Sequence, residues 1–404
     1  MKKSLFGYGL TTKAIAKSGG WDIYDDKFSS NSKDEFGNNL LNPSEFNANL
    51  SELEIPSPGF PRTHELVQKA KNLISEYDYF NDFNGVKIWI SGTNGKTTTT
   101  QMTQFLLENY GSAMGGNVGV PLANLDKNAK IWVLETSSFT IHYTKFSKPD
   151  IYILLPITPD HLSWHGDFSE YEKAKLKPLK TMGEGSVAIV PKAYENTTSL
   201  AKVIGYENEE DLAKFFGLNL SEINFKVPFL MDAVMALCVE KILFDKAGIL
   251  RLNKFVIENN KLEEFSDKFG RIWVNDTKAT NLDAAIQALR RYKDKKIHII
   301  LGGDDKGVDL EPLFKELLNL QICVYAIGSN THKLMNLCEK FNISAVKCEF
   351  LNVAVEKIHK NYANSSDEIA LLSPACASLD QFKSYAERGD KFKEFVGNLN
   401  KINL

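Results

Sequence analysis

The chain reads Ile88-Trp89-Ile90-Ser91-Gly92-Thr93-Asn94-Gly95-Lys96-Thr97-Thr98-Thr99 where an apolar run turns into a glycine-flanked loop, and this stretch decides the fold. Glycines let backbone N–H groups converge on phosphate oxygens, and the helix that follows offers its positive N-terminal end. Lys96 adds a mobile cation, and Thr97 can ligate Mg²⁺. The alternative is a plain structural turn. The stretch predicts an ATP site that is formed by Gly92, Thr93, Asn94, Gly95, Lys96, Thr97 and Thr98.

Composition narrows the class of protein. A chain of 404 residues is too long for one core and indicates two or three domains. The net charge of −3 gives no basic excess for a nucleic-acid partner, and no apolar run approaches the roughly 20 residues that span a bilayer. The five cysteines are scattered without a C-x-x-C pair. We therefore expect reduced thiols, a cytoplasmic protein and no membrane insertion.

The N-terminal region has the alternating strands and helix of a small nucleotide-binding layer. A strand over 4–7 leads through a glycine turn into a helix that runs to Ala16, and a second strand covers 21–24. Thr12 stands where a dinucleotide fingerprint has its third glycine, so the pattern is weak for NAD but suits a smaller nucleotide-binding layer. Another turn, Ser57-Pro58-Gly59, follows a short strand, and the polar stretch at 81–85 predicts the first domain boundary.

Three apolar strands of the central region end in residues suited to phosphate or Mg²⁺. Strand 87–91 leads into the phosphate loop, strand 131–134 into Glu135, and strand 151–157 into Asp160-His161. Taken singly, Glu135 could be a solvated strand end and His161 a helix cap. Ligands of open α/β sheets bind outside the carboxyl ends of the strands, so the joint placement predicts one site.

A helix capped by Asp167 follows and carries Lys175. Its charge pattern alone is typical of a solvated, salt-bridged face. Pro178 should kink that helix or end it soon afterwards.

The third region repeats the strand–loop arrangement. Strands over 271–274, 297–301, 322–327 and 369–372 each end in a polar loop. Lysines and hydroxyl groups in these loops suit an anionic substrate, whereas ordinary polar connections are the alternative. Cys376 has no histidine near it in the sequence and is predicted to be a packing residue.

Several motifs together resemble the Mur ligase family. The loop at 92–99 is similar to that family's short phosphate loop, since Ile90 stands where the general P-loop has its first glycine. The remaining motifs follow in the family's order: Gly116-Asn117-Val118-Gly119-Val120-Pro121, Glu135-Thr136-Ser137-Ser138-Phe139, Asp160-His161, Lys175-Leu176, Asn275-Asp276-Thr277-Lys278-Ala279-Thr280-Asn281, Leu301-Gly302-Gly303-Asp304 with Lys306, and Leu372-Ser373-Pro374-Ala375-Cys376-Ala377-Ser378-Leu379-Asp380-Gln381-Phe382. The last three are similar to the branch that joins D-glutamate to UDP-N-acetylmuramoyl-L-alanine in peptidoglycan synthesis.

The resemblance implies an α/β protein of three domains: a Rossmann-like domain for the UDP substrate at 1–84, a central P-loop ATPase at 85–257, and a Rossmann-like domain for the amino acid at 258–404. It implies a monomeric ATP-dependent ligase that works through an acyl phosphate. The implied groups are Lys96 on the β- and γ-phosphates, Thr97 and Glu135 on one Mg²⁺, His161 and a carbamylated Lys175 on a second, Asn117 at the acyl phosphate, and Asp276 at the ADP ribose.

The substrate residues are also expectations from this resemblance. The UDP moiety is expected at Leu10, Thr11 and Gly59, and D-glutamate between Lys278, Thr280, Lys306, Ser378 and Tyr385.

Departures from the family pattern affect the nucleotide contacts. Met231-Asp232-Ala233-Val234-Met235 replaces a His-Asn-x-x-Asn run near adenine, Lys261 replaces an ATP-binding arginine, and Tyr385 replaces a phenylalanine. We expect these changes to alter nucleotide affinity without abolishing activity.

Two alternative functions would require different motifs. A sister amide ligase, either another Mur ligase or a folate polyglutamate ligase, would share residues 86–180 but lack the 373–382 motif. A nucleotide switch would need a guanine motif Asn-Lys-x-Asp, which 275–278 does not supply. A regulatory protein without ligase chemistry would be expected to lose Lys96, Glu135 or His161, and all three are present.

Overall fold

The computed structural model describes residues 2–363 and 367–399. The chain forms two compact units: residues up to Phe225 together with Phe229–Phe255, and Lys226–Pro228 together with the residues from Val256 onward. The ends of the predicted outer domains, Met1 and 400–404, lie outside the described residues. The split at 84/85 and 257/258 remains a prediction.

The first unit begins with a five-stranded sheet of order β3-β4-β2-β1-β5. Its pairs are parallel except that of β3 with β4. The elements are β1 (Lys2–Phe6), α1 (Leu10–Ala16), β2 (Trp21–Tyr24), β3 (Ser32–Lys33), β4 (Asn39–Leu41), β5 (Ser51–Pro56), α2 (Glu65–Lys69) and α3 (Glu76–Tyr79).

A six-stranded parallel sheet of order β11-β10-β9-β6-β8-β7 follows in the same unit. The strand before the phosphate loop, β6, lies in its interior between β8 and β9. The elements are β6 (Val86–Ser91), α4 (Lys96–Leu107), β7 (Ser112–Gly116), β8 (Ile131–Glu135), α5 (Ser138–Tyr143), β9 (Ile151–Leu154), α6 (Leu162–His165), α7 (Phe168–Thr181), β10 (Val187–Pro191), β11 (Lys202–Tyr206), α8 (Glu209–Phe216), α9 (Phe229–Phe244) and α10 (Ile249–Leu252).

The second unit contains a six-stranded sheet of order β12-β13-β17-β14-β15-β16, in which β12 alone is antiparallel to its neighbour. The elements are β12 (Glu263–Ser266), β13 (Ile272–Asn275), α11 (Leu282–Arg291), β14 (Lys296–Gly302), α12 (Glu311–Leu317), β15 (Ile322–Ile327), α13 (Thr331–Lys340), β16 (Ser344–Glu349), α14 (Leu351–Asn361), β17 (Glu368–Leu372) and α15 (Tyr385–Gly397). Short 3-10 helices cover Pro43–Glu45, Glu108–Tyr110, Leu122–Asn124, Lys192–Tyr194 and Leu220–Glu222.

Two hydrophobic clusters fix the central sheet. On one face, α4 and α9 cover apolar side chains of β6, β8 and β9, and Leu106 and Leu237 are fully buried there. The other face carries Trp89 and Trp132 in a cluster that also contains Leu5 and Ile23 of the N-terminal sheet. Burial on both faces explains why the central strands are nearly continuous apolar runs. In the part of the chain that the structure describes, none of the helices has the length and apolar character that a membrane crossing requires.

The predicted α/β class and the predicted strands are confirmed, with one strand shorter than expected. The strand predicted over 151–157 ends at Leu154. Pro156 has no N–H for the ladder, and its carbonyl accepts the Thr93 N–H at 3.0 Å instead. The residues after β9 therefore support the phosphate loop. Helix α7 ends at Thr181, three residues after Pro178, as predicted.

Candidate active site

The phosphate loop joins β6 to α4 and depends on two glycines. Gly92 has φ 132° and Gly95 has φ 83°, both in the region that glycine adopts most easily. A Cβ atom on Gly92 would lie 2.5 Å from the Leu155 Cβ, and one on Gly95 would lie 2.5 Å from an Asp232 carboxylate oxygen. The loop is therefore packed so closely that larger residues are excluded at both positions.

Lys96 and Thr93 are held by the loop itself. The Lys96 ammonium group donates to the carbonyl oxygens of Gly92 at 3.0 Å and Thr93 at 2.7 Å. The Thr93 hydroxyl donates to the Thr158 carbonyl oxygen at 3.0 Å and lies 3.0 Å from the Tyr171 hydroxyl. Asn94 and Thr98 complete the predicted set in the loop and the first turn of α4. The N-terminus of α4 thus presents backbone N–H groups and a cation at one place, as phosphate binding requires.

An oxygen-rich cluster lies beside this helix terminus. The Thr97 hydroxyl donates to one Glu135 carboxylate oxygen at 2.7 Å, and the Asn117 amide donates to the other at 2.7 Å. Glu135 is the last residue of β8 and is only 3% exposed. The structure therefore brings together Thr97, Glu135 and Asn117, which come from three separate motifs of the sequence.

Lys175 is buried, so the solvated-face interpretation of its helix is wrong at this position. Its side chain is 1% exposed, and its ammonium group donates to the Gly92 carbonyl oxygen at 2.8 Å. Burial, followed by the nearby Lys96 cation, holds the pKa of Lys175 well below its usual value. A lysine in this position loses its proton more readily than an exposed lysine does.

His161 is the N-cap residue of α6 and has a left-handed backbone conformation, with φ 52°. Its Nε2 lies 3.5 Å from an Asp160 carboxylate oxygen, and its ring packs edge-on against Phe139. His165, which sequence reasoning missed, lies one turn later and hydrogen-bonds the Ser138 hydroxyl at 2.9 Å. Burial, followed by neighbouring histidines, lowers the pKa of His165 to about 4, so it is neutral at pH 7.

The predicted UDP residues lie just beyond two parallel neighbours, in the loop after β5 and where the loop after β1 enters α1. Leu10 and Thr11 open α1, and Leu10 is 74% exposed. Gly59 lies in the turn that follows β5, with open space where a Cβ would be. Both loops therefore lie at the carboxyl edge of this sheet, where ligands bind in such folds.

Asp276 is buried at the end of β13 in the second unit. One carboxylate oxygen accepts from the Ser373 hydroxyl at 2.7 Å, and the other accepts from the Leu262 N–H at 3.2 Å. Burial raises the pKa of Asp276 to about 7, although these hydrogen bonds and the Lys261 cation oppose the shift. Lys261 is therefore within electrostatic range of Asp276, as its predicted role at the nucleotide requires.

The predicted D-glutamate residues other than Tyr385 lie in loops at the carboxyl ends of β13, β14 and β17, three adjacent strands. The loops after β14 and β17 are joined by paired backbone hydrogen bonds between Asp304 and Ala377, at 2.9 and 3.0 Å. Lys306 and Ser378 lie within two residues of this bridge. The other members of the set are Lys278, which pairs with Glu258 at 3.2 Å, Thr280, and Tyr385 at the start of α15.

Arg388 is a further residue that sequence reasoning missed. It is 1% exposed and donates to the Thr277 hydroxyl at 2.9 Å and to the Cys376 carbonyl oxygen at 3.2 Å. It therefore ties the loop that carries Lys278 to the loop that carries Ser378. Cys376 is 1% exposed, which confirms its predicted packing role.

The described residues provide few side chains that could ligate a metal ion. The described residues contain no group of three or more histidine, cysteine, aspartate or glutamate side chains that could hold a metal ion. A hydroxyl and a carboxylate, Thr97 and Glu135, are nevertheless hard oxygen donors at a helix terminus that suits phosphate. This donor set fits Mg²⁺, which takes one or two protein ligands and completes its shell with phosphate oxygens and water.

Comparison with known proteins agrees with this geometry. Residues 90–230 match the sequence model of the Mur ligase middle domain. A protein of Campylobacter jejuni named UDP-N-acetylmuramoylalanine--D-glutamate ligase is 59% identical over 404 residues, which cover 99% of this chain and 100% of the relative. The chain belongs to the Mur ligase family.

Other members of the Mur ligase family extend the comparison. A Helicobacter pylori protein with the same name as the Campylobacter relative is 47% identical and covers 98% of this chain and 99% of its own. The crystal structure of a MurF ligase from Thermotoga maritima in complex with ADP has a TM-score of 0.58 at 16% identity, covering 86% of this chain and 88% of that one. This likeness shows the shared fold.

One departure of this Mur ligase from the family's usual motif can be located in the structure. Asp232, which replaces an asparagine of the His-Asn-x-x-Asn run, accepts from the Thr99 hydroxyl at 2.8 Å. It is therefore packed behind the phosphate loop, in the first unit. The effect of this substitution on the adenine contacts remains a prediction.

Proposed function

We infer that this chain is an ATP-dependent ligase that adds D-glutamate to UDP-N-acetylmuramoyl-L-alanine during peptidoglycan precursor synthesis. The observation that carries this conclusion is 59% identity, over the whole length of both chains, to a protein named for that reaction. The phosphate loop supports it independently, because ATP-dependent ligation needs a site for the β- and γ-phosphates beside hard oxygen ligands.

The proposed chemistry proceeds through an acyl phosphate. An oxygen of the L-alanyl carboxylate attacks the γ-phosphorus of ATP, and the bond from that phosphorus to the bridging oxygen breaks to release ADP. The amine of D-glutamate then attacks the acyl carbon and loses a proton. The tetrahedral intermediate expels inorganic phosphate, which carries away the original carboxylate oxygen. Phosphoryl transfer requires mainly that the protein position the reacting groups and neutralise the phosphate charge, which Lys96 and the loop amides do.

Mg²⁺ is assigned to Thr97 and Glu135, whose oxygens lie 2.7 Å apart. When bound, the ion would neutralise part of the charge of the phosphate groups. Asn117, which shares Glu135 with Thr97, is assigned to the acyl phosphate.

A second ion is assigned to His161 and Lys175. Carbamylation joins the neutral lysine amine to CO₂ and releases a proton, which replaces a cation by an anionic oxygen ligand. The lowered pKa of Lys175 supports this assignment, because only the neutral amine reacts.

The remaining assignments are retained from the sequence. We assign the UDP moiety to Leu10, Thr11 and Gly59, the ADP ribose to Asp276 with Lys261 nearby, and D-glutamate to Lys278, Thr280, Lys306, Ser378 and Tyr385. The proposal includes a monomeric, cytoplasmic enzyme.

The acyl-phosphate route is tested with UDP-N-acetylmuramoyl-L-alanine labelled with ¹⁸O in both oxygens of its alanyl carboxylate. We expect one ¹⁸O atom in each inorganic phosphate that is released, measured by mass spectrometry after complete turnover, and none in ADP. Unlabelled phosphate would contradict the route. Label in AMP would show instead that the carboxylate attacks the α-phosphorus.

A further inference from the structure

The short helix α3 directs three consecutive buried side chains towards different loops of the candidate site. Glu76, Tyr77 and Asp78 are 5%, 3% and 3% exposed. Ser75 caps the helix through a reciprocal pair of hydrogen bonds with Asp78, which fixes the orientation of this turn. Acidic side chains are rarely so buried unless they have specific partners.

Glu76 lies between two segments that are far apart in the sequence. One of its carboxylate oxygens accepts the Leu122 N–H at 2.7 Å. Leu122 begins the 3-10 helix that ends the loop carrying Asn117, and its N–H has no partner within that helix. The Thr11 hydroxyl approaches the same carboxyl group and lowers its pKa, although burial raises that pKa overall to about 7. Helix α1, which Thr11 opens, also packs against the 3-10 helix.

The two neighbours of Glu76 anchor the same helix to other parts of the site. The Tyr77 hydroxyl donates to the Glu135 carbonyl oxygen at 3.2 Å and lies 3.2 Å from the Thr136 hydroxyl. Asp78 accepts the backbone N–H groups of the segment after α5, at Lys145, Phe146 and Ser147, at 2.7 to 2.9 Å. Helix α3 is thus fixed at two points, which leaves Glu76 a defined position between Thr11 and Leu122.

We propose that Glu76 is a positioning residue that couples the UDP-binding segment at Thr11 to the acyl-phosphate loop at Asn117, so that binding of the UDP moiety places the alanyl carboxylate. The inference rests on the proposed function, which assigns these two segments to opposite ends of one substrate. Glu76 itself touches neither the substrate nor the reacting atoms. Its carboxylate acts through the Thr11 hydroxyl and the Leu122 N–H.

The test compares Glu76→Ala and Glu76→Gln with a matched control, Glu54→Gln. Glu54 is also a fully buried glutamate of the first unit, and its carboxylate accepts the Asn72 N–H at 2.7 Å, outside both loops. We expect Glu76→Ala to raise KM for UDP-N-acetylmuramoyl-L-alanine about tenfold or more while KM for ATP changes less than about twofold. Glu76→Gln keeps an oxygen for the Leu122 N–H and should rescue part of this loss. Glu54→Gln should lower the thermal midpoint without changing either KM.

A double variant separates coupling from packing. If Glu76 acts through Thr11, then Thr11→Val combined with Glu76→Ala should raise KM for the UDP substrate no further than the larger single effect. Fully additive effects, an unchanged KM in Glu76→Ala, or parallel increases in every KM would overturn the proposal.

If Glu76→Ala does not fold, Glu76→Gln decides, since it keeps the side-chain volume. The wild-type enzyme in the same assay tests the proposed function separately: no turnover there contradicts that function, whatever the variants do.

Discussion

Replacement of Lys96 by alanine is expected to lower kcat about 1,000-fold or more, which corresponds to about 4 kcal/mol of transition-state stabilisation. Lys96 is the loop's own cation at the phosphates, and its ammonium group already lies within 3.0 Å of two loop carbonyl oxygens. The fold should survive, because the change removes no apolar core contact. Steady-state kinetics with saturating substrates measure the effect, and circular dichroism checks the fold.

Lys87→Ala is the matched control, because Lys87 lies at the opposite end of the same strand and donates to Asn81 at 3.0 Å. It should keep kcat within about twofold of wild type. A Lys96→Ala enzyme that retained more than about a tenth of its kcat, a loss below about 1.4 kcal/mol, would show that the phosphate site is wrongly assigned.

Replacement of Lys175 by alanine should also leave the enzyme nearly inactive, with kcat lowered about 100-fold or more. The physical reason is that the proposed metal ion needs an anionic oxygen at this point, which the carbamate supplies. A short-chain carboxylic acid in the buffer should enter the space left by the side chain and restore part of the activity. The measurement is kcat as a function of added acetate, formate or propionate.

Lys173→Ala provides the control on the same helix, since Lys173 is exposed and pairs with Glu170 at 2.7 Å. It should behave as wild type and show no response to the acids. Full activity of Lys175→Ala would remove Lys175 from the mechanism. An inactive variant that no acid rescues would retain the lysine but contradict the carbamate.

The sequence was sufficient to predict the strands that lead into the candidate site, and the loops that follow those strands. The run 322–327 is apolar along its length, and the run 21–24 is apolar except for Asp22. Both end at turn residues, so their bounds in β15 and β2 agree with the prediction. Parallel strands of one sheet place their carboxyl ends at one edge, so the sequence predicts that Glu135 and Thr97 lie close together, and their hydrogen bond of 2.7 Å agrees with this. The error at β9 arose because an apolar run continued through Pro156, which cannot join a ladder.

The supporting residues could not be predicted from local patterns. Lys175 lies among charged neighbours, and a charge pattern does not reveal which face of a helix packs against a sheet. Glu76 and Tyr77 belong to a helix of four residues, too short for a periodic signal. Arg388 contacts Thr277, which lies 111 residues before it in the sequence, and Cys376, which lies 12 residues before it. Only the folded chain brings these residues together. These residues act through tertiary contacts that leave no motif in the sequence.

The most direct test of the central claim measures ADP release with UDP-N-acetylmuramoyl-L-alanine while the added amino acid is varied. A site built from Lys306 and Ser378 would leave buried or charged donors unpaired when the second carboxylate is absent, and such sites reject analogues strongly. We therefore predict that kcat/KM for D-glutamate exceeds that for D-alanine or L-glutamate at least ~100-fold. Comparable values for L-lysine, meso-diaminopimelate or L-alanine would contradict D-glutamate ligation and assign the chain to a different step of amide ligation.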